Sequence, residues 1–378
     1  MTYARSRLWL GISGVGTTVA LALLTIGTGW PTKVLPVSST TPMAVHLAHL
    51  AGVAGLHVLL FLVPDLVGGV VIVRQRPSVG RWLGSWLRGA LVLAATALVA
   101  AALVMTAARA GGNGGAVGVA VLFALALLWG NGWLARAVAP VVVAPATDSV
   151  RKAALRAGID ATRIRLVTAG DAAFTGGWVG PAGRTLWLPE HWVRSLAPDE
   201  LAAQLARRAA VRVHRWRGVA VALLWNGVGF AMALQAPGGG ATSAAALTMT
   251  SAWFVLWQFA GLLLLPSLSR PAVLEADAVA AVRVGADATY RAIARLDEWQ
   301  EGESSRPDAV ETIFHPVPEL RERAERLKLG AAAGPLPPGC YHATRTMLAS
   351  GWAFTGLLGR AVHCNLGRPA LWVVFPSD

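Results

Sequence analysis

The sequence predicts a mainly α, polytopic membrane protein of about six transmembrane helices, with a cytoplasmic α+β part split by a membrane hairpin. Three observations carry this. The 378 residues are 55% hydrophobic and only 14% charged, far more apolar than a soluble domain of this length. The apolar residues gather in long runs, each near the roughly 20 residues that cross a bilayer. The positive charge, formally +13, is concentrated in alternate connections between those runs.

The expected spans lie at 8–29, 44–73, 86–108, 115–137, 218–235 and 243–266. The second is interrupted by Pro64 and Asp65, which predicts a kink or tilt, and the fifth is the shortest. The first shows no clear small-residue cleavage site and reads as an uncleaved span rather than a signal peptide. Arg5 and Arg7 precede it. Arg74, Arg76, Arg81 and Arg88 fill the connection between the second and third spans, and Arg207, Arg208, Arg212, Arg215 and Arg217 stand before the fifth. The opposite connections hold Lys33, Arg109 and, at 235–241, no charge. The positive-inside rule then puts both termini and both larger polar regions on the cytoplasmic side of a bacterial-type inner membrane. The arginines suit anionic membrane lipid. Nucleic acid is not expected as a partner, because no base-stacking aromatic motif accompanies the charge.

Five segments follow from this division. Residues 1–140 form a four-span unit, in which GGNGG at 111–115 reads as a tight connection. Residues 141–217 form a mixed polar segment: a helix at 148–157, extended runs at 164–167 and 185–189, and a helix from Pro198 with Asp199 and Glu200 in its first turn, where the helix dipole favours acids. Residues 218–266 form the membrane hairpin, 267–330 a helical part, and 331–378 a proline-rich linker and tail. Trp9, Trp30, Trp82, Trp86, Trp216 and Trp253 lie near span ends, as an interfacial belt requires. Cys340 and Cys364 have no metal spacing, and a disulfide is not expected on the reducing side.

Four fragments then occur in one order: DAAFTGG at 171–177, SLAPDELAAQLARRAAV at 195–211, SRPAVLEADAVAA at 269–281 after the hairpin, and IFHPVPELRERAERL at 313–327. Together they resemble the membrane-bound zinc metalloproteases of the HtpX and CAAX prenyl protease type, over roughly 145–330. LPEHW at 188–192 gives a weaker likeness to the antibiotic-sensing receptor proteases. The main resemblance implies a metalloprotease-like domain in which one helix supplies two histidine ligands and a glutamate base, and a second helix supplies a third ligand. At those positions this chain carries Arg207, Arg208, Val211 and Val273. Arginine and valine do not ligate zinc, so the resemblance implies a degenerate member with no catalytic residues, no metal and no cofactor. Phe174, His315 and Arg321 remain as a vestigial cleft.

A structural substitute for the metal is expected: Arg207 or Arg208 filling the space and pairing with Glu275 or Asp277. Elsewhere, His46, His49 and His57 share one face of the second span, a place where histidines face an interior, a cavity or a cofactor. Three functional readings follow. The leading one is an inactive homologue that binds, scaffolds or regulates another membrane protein, with a peptide along the old substrate strand near Phe174 as one mode. The second is a structural or cofactor-associated subunit of a larger complex, using the histidine face. The third is an active zinc protease with displaced ligands drawn from His191, Glu200, His214 and Glu275.

Overall fold

A computed structural model describes residues 3–73, 77–169, 174–180, 183–300, 315–362, 365–368 and 370–374. The protein is mainly helical, and five of its helices are long and apolar enough to cross a membrane. They are α1 (Tyr3–Thr28), α3 (Met43–Leu66, continued by a π-turn at Val67–Val71), α4 (Val79–Trp129), α8 (Pro198–Gln235) and α9 (Ala244–Val284). A short α2 (Trp30–Val34) follows α1.

The sequence predicts six spans where the structure has five helices, because the third and fourth fall within α4. A straight helix of its 51 residues would be about 76 Å long, more than twice the hydrocarbon thickness. It turns at Gly111 (φ −131, ψ 17) and Gly112 (φ 63, ψ −159). A side chain on Gly115 would lie 2.8 Å from the Ala107 carbonyl, so the halves fold back on each other. Ala101, Val104, Ala108, Ala116, Ala120 and Ala124 belong to one buried cluster. Pro64, where a kink or tilt is predicted, lies inside α3, which passes directly into the π-turn.

Between α4 and α8 lies a small α+β unit: α5 (Asn131–Val138), β1 (Val142–Pro145), α6 (Asp148–Ala157), β2 (Ile164–Thr168), β3 (Gly177–Val179), β4 (Thr185–Pro189) and α7 (Glu190–Ser195). The sheet order is β1-β2-β4-β3. β2 and β4 are parallel, and the outer strands are antiparallel to their neighbours. α6 packs its alanine face on this sheet and on the start of α8, with Ile164, Leu186, Leu188 and Trp192 in the core. Beyond α9 come α10 (Ala286–Gln300) and α11 (Leu320–Leu329).

The described residues of the tail beyond 343 pack into the bundle rather than standing apart from it. α12 (Ala343–Gly351), a 3₁₀ turn at Trp352–Phe354 and α13 (Leu358–Ala361) form a re-entrant hairpin, followed by α14 (Leu371–Val374). Phe354 packs edge-on and tilted against Phe230 and Phe254, at 5.6 and 5.8 Å. Asn226 of α8 donates to the Met347 carbonyl and the Ser350 hydroxyl. Ser251 of α9 shares a hydrogen bond with Thr355. These contacts give part of the broken helix's polar groups partners on α8 and α9. Trp82 and Trp86, which the sequence places in the interfacial belt, turn inward to serve the same hairpin. Trp82 donates to the Gly367 carbonyl, and Trp86 donates to Asp65, which also pairs with Arg360 at 3.0 Å.

Candidate functional site

The second half of α9 and the first half of α8 lie face to face. α9 presents Ser269, Ala272, Val273, Ala276, Asp277 and Ala280, all buried. Their spacing of three and four residues makes one helical stripe, and its alanines let α8 approach closely. α8 presents Leu201, Gln204, Arg207, Arg208 and Val211, also buried.

Arg207 is 1% exposed and Asp277 2%. The Arg207 Nε donates to Asp277 Oδ1 at 2.7 Å, and Arg207 Nη1 donates to Gln204 Oε1 at 2.9 Å. A second guanidinium completes the arrangement: Arg323 of α11 donates from Nε to Oδ2 at 2.7 Å and from Nη2 to Oδ1 at 2.9 Å. One carboxylate thus bridges two arginines from two helices. The charge-assisted, partly bidentate geometry is the kind that compensates burial of the ions. Glu275 is half-buried and, two residues from Asp277, on the opposite side of the helix.

One turn along both helices the surroundings become apolar. Val211 and Val273 join Ala210, Ala272, Ala276 and Tyr341 in one cluster, with Val317 packed against it. The three positions where the resemblance places metal ligands are therefore brought together, and they hold an arginine and two valines. The displaced-ligand set is not gathered: no group of three or more His, Cys, Asp or Glu residues is placed to hold a metal among the described residues. Glu200 is engaged at the start of α8, accepting from the Ala197 N–H at 3.1 Å. The His191 ring lies 5.1 Å from that of Trp299. The His214 side chain lies outside the described residues, as does Cys364.

Arg208 takes a different role from Arg207. Its Nη2 donates to the Thr175 carbonyl at 3.0 Å, its guanidinium lies 5.7 Å from the Trp192 ring, and its own carbonyl accepts from Trp178 Nε1 at 2.7 Å. It ties α8 to the segment entering β3. The outer edge of β3 is covered as well. Asn131 of α5 donates to the Trp178 carbonyl and accepts from the Gly180 N–H. Its carboxamide makes the two bonds that a peptide group of an added strand would make. The peptide mode expected near Phe174 concerns the stretch before β3, of which residues 171–173 lie outside the described residues. Phe174 itself is 1% exposed and packs in the core with Val167, Trp187 and Trp352. His315 is half-buried, two residues before Val317. Arg321 points to solvent and pairs with Glu325 at 3.1 Å.

The histidines of α3 do not converge. His46 Nδ1 accepts the Ala244 N–H at 3.0 Å, and its Nε2 faces the Ser38 carbonyl at 3.2 Å, so it caps the start of α9. His49 is exposed, with Nδ1 on the Val45 carbonyl. His57 lies 4.8 Å from the Phe61 ring and lines a cavity of about 50 Å³ with Asp65, Trp86, Trp352 and Arg360. The separation of these roles gives no shared cofactor face.

Arg323, Tyr341 and Asn131 are the contributors that the sequence reading lacks. Arg323 had a signal: it falls on the stripe of α11 that carries Leu320 and Leu327, where a charge signals a buried partner. Tyr341 and Asn131 had none, because both act through tertiary placement. The chain matches no known protein-family model, and no curated protein is similar enough to count as a relative.

Proposed function

We propose that this protein is a catalytically silent homologue of membrane zinc metalloproteases that works by binding another membrane protein. In this reading it is seated in a bacterial-type inner membrane, with both termini and the sheet-bearing part on the cytoplasmic side. The observation that carries it is the α8–α9 face. Residues 207, 211 and 273 stand together as a ligand set would, yet they carry side chains that cannot bind zinc. Asp277 between two guanidinium groups supplies the cross-link between helices that a structural cation would otherwise provide. Zinc-activated water needs three protein ligands and an open position, and these residues offer neither.

The test is the metal content of the protein purified in detergent, against a chelator-washed control. Zinc well below one equivalent supports the reading. Near-stoichiometric zinc lost on chelation sinks it and reopens a protease with other ligands. The arginine distribution supports the orientation; labelling of the exposed Arg109 end and of the sheet-bearing end in sealed vesicles checks it.

A further inference from the structure

The arginines at the membrane end of α8 have no counterions. The apolar span of this helix opens at Arg215, and Arg212 stands one turn earlier on the same face. Neither side chain makes an ion pair or a hydrogen bond among the described residues. The sequence explains why. No Asp or Glu occurs at 66–147, 172–189 or 201–274. Those stretches supply α4, α5, β3, β4, all of α8 beyond its first turn and most of α9.

Both guanidinium groups are nonetheless held in place. That of Arg212 lies 5.4 Å from the Trp178 ring of β3, and that of Arg215 lies 5.9 Å from the Trp216 ring. A side chain on Gly183, in the turn between β3 and β4, would collide with Arg215 Nη1 and come within 3.3 Å of the Trp178 Cβ. Glycine is required there twice over, by this close approach and by a φ of 60. Trp178 and Gly183 thus form one patch on which the two cations rest. Arg215 Nη1 is buried there without an acceptor among the described residues. Arginine does not shed its charge in a protein, and a buried cation without a counterion is costly. The patch calls for an anion from outside the chain.

We propose that Arg212 and Arg215 bind the phosphate of an anionic phospholipid at the membrane surface. Their position selects the ligand: they stand where α8 enters its span, at the level of the lipid headgroups. Trp216 beside them is 51% exposed, as an aromatic ring at that level would be. Their chemistry fits as well, since guanidinium groups one turn apart offer several donors to phosphate oxygens. The bound lipid would hold the β3–β4 turn against the bilayer. The inference rests on α8 crossing a membrane and stands whether or not the chain descends from a protease.

The test titrates phosphatidylglycerol into the full chain in detergent and reads an apparent affinity from the rise in unfolding temperature. Arg212→Gln should weaken binding about fivefold, and Arg212→Gln with Arg215→Gln about thirtyfold, the share of one and of two arginines at an anionic surface. Lys152→Gln with Arg156→Gln removes the same charge from the exposed face of α6 and should leave the affinity unchanged. Phosphatidylcholine and inorganic phosphate should each bind at least about tenfold more weakly than phosphatidylglycerol. Equal weakening by the two double variants would reduce the effect to net charge and overturn the proposal. So would no response to phosphatidylglycerol, or an equal response to phosphatidylcholine or to inorganic phosphate. Should the Arg212 and Arg215 double variant fail to fold, Arg212→Gln at its exposed position decides alone, and an affinity equal to the parent's overturns the proposal.

Discussion

Asp277→Asn keeps the shape of the side chain and removes the charge that Arg207 and Arg323 share. Both guanidinium groups stay buried, at 1% and 7% exposure, with three charge-assisted hydrogen bonds weakened at once. Removing one partner of a buried pair costs about 3–5 kcal/mol. The amide oxygen still accepts one bond, which keeps the expected loss near 4 kcal/mol. With an unfolding entropy of roughly 2.1 cal/mol/K per residue, about 0.8 kcal/mol/K for this chain, the unfolding temperature should fall by about 5 °C. Arg207→Met is the comparison: Asp277 keeps both bonds from Arg323, so the loss should be about 1–2 kcal/mol. In the Asp277→Asn background, Arg207→Met should be neutral or stabilising, because it removes an uncompensated charge. The assay is tryptophan fluorescence during heating in detergent at one fixed scan rate, since unfolding of such a protein is kinetically controlled. A fall below about 2 °C for Asp277→Asn, or equal losses for the two single variants, would refute the view that the carboxylate holds the two helices together.

Three further outcomes are expected. His342 has its pKa held well below the usual imidazole value by burial first, then by Arg345, Arg208 and Arg207. The unfolded chain therefore takes up a proton below about pH 6.5 that the folded chain refuses, and stability should fall by up to about 1.4 kcal/mol per pH unit below that point. His342→Asn, which tolerates the left-handed backbone, should flatten the slope; identical pH profiles of the unfolding temperature would remove His342 from the account. Gly112→Ala should cost about 1–3 kcal/mol through backbone strain alone, since a side chain there meets nothing within 4 Å. Gly111→Ala, at a negative φ, should cost less, and equal losses in the same heating assay would contradict a turn dictated by Gly112. Asn131→Ala should cost about 1–3 kcal/mol by baring a buried carbonyl, and hydrogen exchange at Gly180 should accelerate; unchanged exchange would show that the edge is covered by something else.

Much of the architecture was legible because its signals are local. Length and hydropathy mark the helices, and GGNGG marks the turn in α4. The extended runs at 164–167 and 185–189 fall on β2 and β4. The same local logic overlooked β1 and β3, whose few residues carry no alternating pattern and are strands through pairing alone. Nor did it place the apolar patches of the tail, since short patches broken by glycine carry no periodic signal and find their position only through the surrounding bundle. At the site, reading α8 and α9 as facing helices brought Arg207 and Asp277 into view. Of the two arginines offered for that pairing, Arg208, next on the helix, turns about 100° away to Thr175, and the second guanidinium at Asp277, Arg323, comes from another element.

The re-entrant hairpin bears on how the molecule is assembled. Phe230 and Phe254 meet across a space that Phe354 fills, yet Phe354 follows them by about a hundred residues in the order of synthesis. Arg7, near the start of the chain, donates to the carbonyls of Gly68 and Leu366, so the earliest helix also waits for one of the latest segments. Before the final segment is made, the Asn226 amide of α8 lacks the acceptors it finds at Met347 and Ser350. Completion would then be a single late event, in which the final segment enters from the membrane surface and locks first helix to last.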